Sequence, residues 1–234
     1  MAAVILSARG LVRHFGGLRA VDGVDLDLLR GEIHALIGPN GAGKTTLVSL
    51  LSGRVPAQAG TIMLDGADIT HLPAHARVAR GVAYTFQITS IYARLSVFDN
   101  VALAVQRHPG DLMAGTMAAL ARVGLDDRAG QEAGTLSYGH QRLLEIAMGL
   151  ALRPKVLILD EPTQGLANAE IDTFKALVRG LVPETTVLLI EHNMDVVMDL
   201  AHRITVLNFG QVLAQGTPEQ IRANPAVQAA YLGD

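Results

Sequence analysis

Apolar positions in this chain are gathered into short blocks. The runs at 33–37, 156–159 and 186–190 are apolar almost throughout, and shorter or more mixed ones occur at 4–7, 24–28, 61–64, 82–85 and 204–207. Blocks of four or five residues bounded by glycine, proline or charge predict β-strands, and unbroken ones predict strands covered on both faces. Between them the spacing becomes helical. Residues 45–52 and 74–80 read as helices, the second ending at Gly81. Residues 97–128 keep helical spacing with no convincing strand, interrupted by Pro109 and Gly110 and bounded by Gly130 and Gly134. A helix over 137–152 leads back into a strand, and helix–strand alternation continues to the end. Such alternation predicts a mainly parallel sheet, here with an all-helical insertion.

Composition narrows the picture. Half of the 234 residues are hydrophobic but only 4% are aromatic, so the core is built from Ala, Val, Leu and Ile. That length suits one α/β unit carrying an inserted subdomain. The absence of cysteine excludes disulfides and thiolate metal sites, and fits a reducing compartment. A net charge of −3 without a basic block argues against nucleic acid as a partner. No apolar run approaches the roughly 18 residues that a membrane span needs. Residues 2–6 are apolar but lack a basic leader, which reads as a first strand and not as a signal peptide.

The strongest chemical signal follows the strand at 33–37. Gly38, Pro39, Asn40, Gly41, Ala42, Gly43, Lys44, Thr45 and Thr46 match the phosphate-binding loop GxxxxGK[ST] in its required strand-to-helix setting. Glycines let consecutive backbone N–H groups curl around an anion, and the helix that follows points its positive end at the same place. Lys44 can reach the β- and γ-phosphates and Thr45 can ligate Mg²⁺, so the chain is expected to bind a nucleoside triphosphate. A second signal ends the strand at 156–159 with Asp160, Glu161 and Pro162. Carboxylates at the carboxyl edge of a parallel sheet stand where such sheets bind ligands. Asp160 can hold Mg²⁺ and Glu161 can polarise the water that attacks the γ-phosphate. Two acids opening a surface turn are the alternative.

Between these motifs lies Leu136-Ser137-Tyr138-Gly139-His140-Gln141. It closely resembles the ABC-transporter signature, usually LSGGQ, and the resemblance extends over essentially the whole chain, with Phe15, Gln87 and His192 in the family's order. It implies the ABC ATPase fold: a P-loop NTPase core of mainly parallel sheet, an antiparallel β subdomain and an inserted helical subdomain. The chain would then be one ATP-binding domain, with 1–87 and 153–234 forming the core and 88–152 the helical part. By the same resemblance Phe15 stacks on adenine, with a place in the core as its alternative. Gln87 meets Mg²⁺ or the attacking water, and His192 orients Glu161. Ser137 and Gly139, at a helix start that favours an anion, grip the ATP held by a second subunit. Each such subunit docks on a transmembrane permease at the cytoplasmic face of the membrane, near 88–98, where Ile91 and Tyr92 are expected to be exposed. Two positions depart from the pattern: His140 stands for the usual Gln, and Ala167 stands where many relatives carry Asp.

Finer similarity, in Tyr84-Thr85-Phe86-Gln87, Ile190-Glu191-His192-Asn193-Met194 and Gly216-Thr217-Pro218-Glu219, points to importers of branched-chain amino acids or related polar solutes. Rivals are a non-transport ABC ATPase of translation or DNA repair, a P-loop small-molecule kinase, and a subunit that binds ATP without hydrolysing it. The first usually has tandem cassettes or a long coiled coil, and neither is visible here.

Overall fold

The structure is a computed structural model that describes residues 3–85, 90–107 and 109–232, without the side chains of 231 and 232. A long antiparallel hairpin opens the chain, β1 (Val4–Phe15) and β2 (Leu18–Leu29). Then β3 (Ile33–Ile37) runs through the glycine loop into α1 (Lys44–Ser52). Next come β4 (Ala59–Leu64), β5 (Ala67–Asp68), α2 (Ala74–Arg80) and β6 (Val82–Thr85). The helices α3 (Val97–Val105), α4 (Leu112–Arg122) and α5 (Tyr138–Ala151) follow, with single 3₁₀ turns at Asp126–Arg128 and Ala133–Thr135. Alternation resumes with β7 (Val156–Asp160), α6 (Asn168–Leu181), β8 (Thr186–Ile190), α7 (Met194–Leu200), β9 (Arg203–Asn208) and β10 (Gln211–Gly216). Two short helices, α8 (Pro218–Arg222) and α9 (Pro225–Leu232), end the chain.

The strands form two sheets. One is six-stranded in the order β10-β9-β3-β8-β7-β6, parallel except for β10; the other is antiparallel, β2-β1-β4-β5. The expected α/β class, with a mainly parallel core, a separate antiparallel sheet and a helical segment, is therefore present. β3, β7 and β8 are buried at every position because both faces of the parallel sheet are covered. Their side chains alternate between the two covers. Leu157 and Leu159 of β7 pack with Leu144 of α5 and Phe174 of α6, whereas Val156 and Ile158 pack with Leu47 and Leu50 of α1. Each such leucine contributes about 1.5–3 kcal/mol. Register then fixes the site: Leu36 and Asp160 both pair with Ile190, so β3, β7 and β8 deliver their following loops to one edge.

Several elements differ from the sequence expectation. β1 and β2 are much longer than 4–7 and 24–28, since charged residues at partly exposed positions, Arg9, Arg13, Asp22 and Asp25, interrupt their apolar residues and the register shifts break the alternation. β5 and β10 were not expected, because a two-residue exposed strand and a polar edge strand leave no apolar block. The helical stretch 97–128 divides into α3, α4 and a 3₁₀ turn. Ile91 is not exposed as expected but packs against the core around α3, while Tyr92 is 58% exposed. Gln87, with Phe86, Ile88 and Thr89, lies outside the described residues.

A buried cation ties α1 to α2. Arg77, 1% exposed, donates from Nη1 to the carbonyls of Leu50 and Leu51 at 2.6 and 2.9 Å, from Nη2 to Thr70 at 2.8 Å and from Nε to Leu72 at 2.9 Å. Its charge thus caps the negative end of the helix that leaves the glycine loop. Arg77→Met fills similar volume but strands those four acceptors, and is expected to cost about 3 kcal/mol, read as a lower urea midpoint at constant slope. A loss under about 1 kcal/mol would show that water can replace the guanidinium there.

Candidate nucleotide site

β3 ends at Ile37 and the chain turns sharply through Gly38, Gly41 and Gly43, all at positive φ. Gly43, with φ 101°, is required on two counts: only glycine takes this conformation without strain, and a Cβ there would collide with the Ala20 carbonyl oxygen. α1 then starts with no side-chain cap and no acid in its first turn. Its leading N–H groups can therefore serve an anion. Lys44 is 7% exposed and folds its Nζ back onto the carbonyls of Gly38 and Pro39, at 2.6 and 3.0 Å. Burial holds its pKa below the usual 10.5, partly offset by the charges of Glu161 and Asp160. An incoming phosphate can take over the proton donors that these carbonyls now accept.

A cavity of about 350 Å³ opens above the loop, lined by Leu18, Ala20, residues 40–46, Glu161 and His192. The Thr45 side chain reaches it from an exposed position, and Thr46 sits beside it. Across from the loop, β7 ends in buried Asp160, whose Oδ2 accepts the Tyr84 hydroxyl at 2.6 Å. Burial raises the pKa of Asp160, opposed by that hydrogen bond, and it raises that of Tyr84 as well. Glu161 follows with φ 48°, a left-handed conformation that few residues other than glycine adopt. This turn aims its side chain at the cavity, where Oε1 meets His192 Nε2 at 2.6 Å. The pair joins the loops after β7 and β8 over the place a terminal phosphate would occupy. A carboxylate held there by an imidazole can accept a proton from water.

The signature residues stand elsewhere. Ser137 caps α5, its Oγ accepting the His140 N–H at 3.3 Å and lying 3.0 Å from His140 Nδ1. Gly139 is buried against α6, and a Cβ there would overlap the Glu170 carboxylate. Tyr138 lies over Gly165 in the loop after Glu161, with the Arg142 guanidinium 5.6 Å from its ring centroid. The residues that line the phosphate cavity include neither Ser137 nor Gly139. One chain therefore brings together the loop, Glu161 and His192, and leaves Ser137 exposed and Gly139 packed on α6, both away from that cavity. Phe15 is 45% exposed, which removes it from the core; it pairs with Leu18 across the hairpin, and the Arg13 guanidinium lies 4.7 Å from its centroid. Ala167 keeps half of a capping box, its N–H donating to Glu170 Oε2 at 2.9 Å. Leu18 and Ala20 were not singled out from sequence, and Tyr84 only as part of a family phrase with no role at the site, since their place there comes from sheet pairing. Glu191 appeared only within a family phrase and was given no site role, although an acid ending an apolar strand is the same signal that marks Asp160.

The model of the family described as "ABC transporter" matches residues 21–164, and that of "Branched-chain amino acid ATP-binding cassette transporter" matches 211–234. The chain is 42% identical to the high-affinity branched-chain amino acid transport ATP-binding protein BraF of Pseudomonas aeruginosa and 41% identical to LivG of Escherichia coli K12, which has the same description, each over the full length of both chains. It is 37% identical to the lipopolysaccharide export system ATP-binding protein LptB of Escherichia coli K12, covering 98% of this chain and 97% of that one. Among solved structures, the ADP conformation of an ATP-binding cassette of an ABC transporter superposes with a TM-score of 0.91 at 27% identity, over 99% of this chain and 100% of the other.

Proposed function

The chain belongs to the ABC transporter family, and from that premise we propose that it is the ATP-hydrolysing subunit of an importer for branched-chain amino acids or a related polar solute, driving a separate permease. The observation that carries this reading is the phosphate-sized cavity in which Lys44 and Thr45 face the Glu161–His192 pair. The loop from Gly38 to Thr46 holds the phosphates through N–H groups and Lys44. Glu161 takes the proton of the attacking water as its oxygen bonds to the γ-phosphorus and ADP leaves, and His192 keeps the carboxylate aimed. Gln87, as the resemblance implies, would meet the same water or ion.

Among the described residues no three His, Cys, Asp or Glu side chains gather to cage a metal. Thr45 and Asp160 instead offer the few oxygen donors that Mg²⁺ uses when substrate phosphates and water complete its shell. Bound there with ATP, the ion would neutralise charge developing on the phosphates. The base stacks on the exposed face of Phe15, with Arg13 behind the ring.

Ser137 and Gly139 serve the ATP of a second ATP-binding subunit, and their distance from the chain's own loop supports that assignment. ATP touching both subunits favours the closed pair, and hydrolysis removes that preference. Core segments 1–87 and 153–234 would carry the phosphates, and 88–152 the signature and the permease contact. Among the described residues no helix is long and apolar enough to cross a membrane. The subunit would sit on the permease at the cytoplasmic face, with no role for nucleic acid. Purification of the tagged chain from solubilised membranes is expected to recover a multi-span permease, and loss of the chain to abolish uptake of labelled leucine, isoleucine and valine. Recovery of ribosomes or DNA in its place would overturn the transport reading.

A further inference from the structure

Glu191 immediately precedes His192 and is 4% exposed. Its carboxylate accepts four hydrogen bonds from two loops. Oε1 takes the Thr163 N–H at 2.8 Å and the Thr163 hydroxyl at 2.6 Å, while Oε2 takes the N–H groups of His192 and Asn193 at 3.0 and 3.3 Å. Thr163 is two residues after Glu161, and Asn193 caps α7. One buried anion therefore joins the backbone that carries the proton acceptor to the backbone that carries its imidazole partner.

We propose that Glu191 is a positioning residue for hydrolysis, fixing the loops after β7 and β8 so that Glu161 and His192 meet. The inference rests on the reading of that pair given above. Its physical basis is that each backbone N–H points at a carboxylate oxygen, a bond with directional demands. Glu161 itself sits at positive φ and needs outside contacts to hold it there. The ladder bond from the Glu161 N–H to the Ile190 carbonyl, at 2.9 Å, fixes where the loop starts. Glu191 fixes where it goes next. A glutamine at 191 would turn an amide NH₂ toward two of the four donors, so the bridge could hold one loop and would release the other.

The test is steady-state ATP hydrolysis by the complex of the chain carrying Glu191→Gln with its second ATP-binding subunit and permease, with Mg-ATP affinity of the full chain measured by calorimetry. We expect kcat to fall about 10²-fold, the loss that accompanies an ångström of misplacement, while KM and Kd stay within about threefold because the glycine loop is untouched. Thr163→Ser keeps the hydroxyl arm and is expected to retain turnover, whereas Thr163→Val is expected to lose about tenfold. In a Glu161→Gln background Glu191→Gln should cost nothing further, since it acts through that residue. A kcat within about threefold of the parent, or kcat and affinity falling together with the folded fraction, would overturn the proposal. If the parent complex, with its second ATP-binding subunit and permease, shows no turnover, the hydrolysis reading fails instead. Amide exchange then decides the clamp on its own: exchange at Thr163, His192 and Asn193 should quicken at least about tenfold in Glu191→Gln, and unchanged exchange refutes it.

Discussion

Glu161→Gln is expected to stop ATP turnover while leaving ATP bound. Glutamine has nearly the same shape, tolerates the same backbone and can still accept a hydrogen bond from His192 Nε2, now 2.6 Å from the carboxylate. What it loses is the ability to take a proton from water. Positioned general bases are worth about 10²–10⁴ in rate, so kcat should fall by about 10³. Removing a negative charge that faces the phosphates also lowers repulsion, and ATP binding should hold or tighten. With binding intact and hydrolysis gone, the closed pair should accumulate, visible as a dimer in gel filtration with Mg-ATP when the cognate subunit is present. Turnover within about tenfold of the parent would remove Glu161 from its role.

Lys44→Ala is expected to act one step earlier, on affinity. Lys44 Nζ now donates to two loop carbonyls, so the ammonium is already held beside the place where phosphates would lie. Hydrogen bonds to charged groups contribute about 1.5–3 kcal/mol each, and losing the contacts to the β- and γ-phosphates should weaken Mg-ATP binding by about 10²-fold or more in calorimetry. Fold stability should change far less, because the substitution also removes a buried charge. An unchanged Kd would refute the assignment. The pH response follows from burial, which lowers the pKa of Lys44 from 10.5. Since only the charged form binds phosphate strongly, affinity should decline with rising pH sooner than an ordinary lysine would allow. The sign for the empty fold is opposite: a depressed lysine pKa disfavours the charged folded state, so the penalty shrinks as pH rises through that pKa.

Much of the site was legible because its parts are contiguous. Residues 38–46 form one loop, and Asp160 with Glu161 ends one strand, so each motif carries its geometry with it. Phe15 was legible only as two alternatives, and its exposure beside Arg13 removes the core one. The hairpin was legible only in part, for its partly exposed strands and shifted register have no clean period. Ile91 was misread because helical packing around α3 reaches past the residues that show a helical pattern.

The sequence by itself determined the α/β class, the phosphate loop and the acidic strand end, since apolar blocks and short motifs encode local conformation directly. Tertiary structure alone decided that Tyr84 closes on Asp160, and it gave the geometry for what the resemblance only implied, that Glu161 meets His192 from 31 residues away and that Ser137 stays outside the chain's own phosphate cavity. Those facts depend on which strands neighbour one another in the sheet. Pairing of that kind is set by the packing of α1, α5 and α6 over both faces, an energy spread over the whole core and absent from any single stretch of chain.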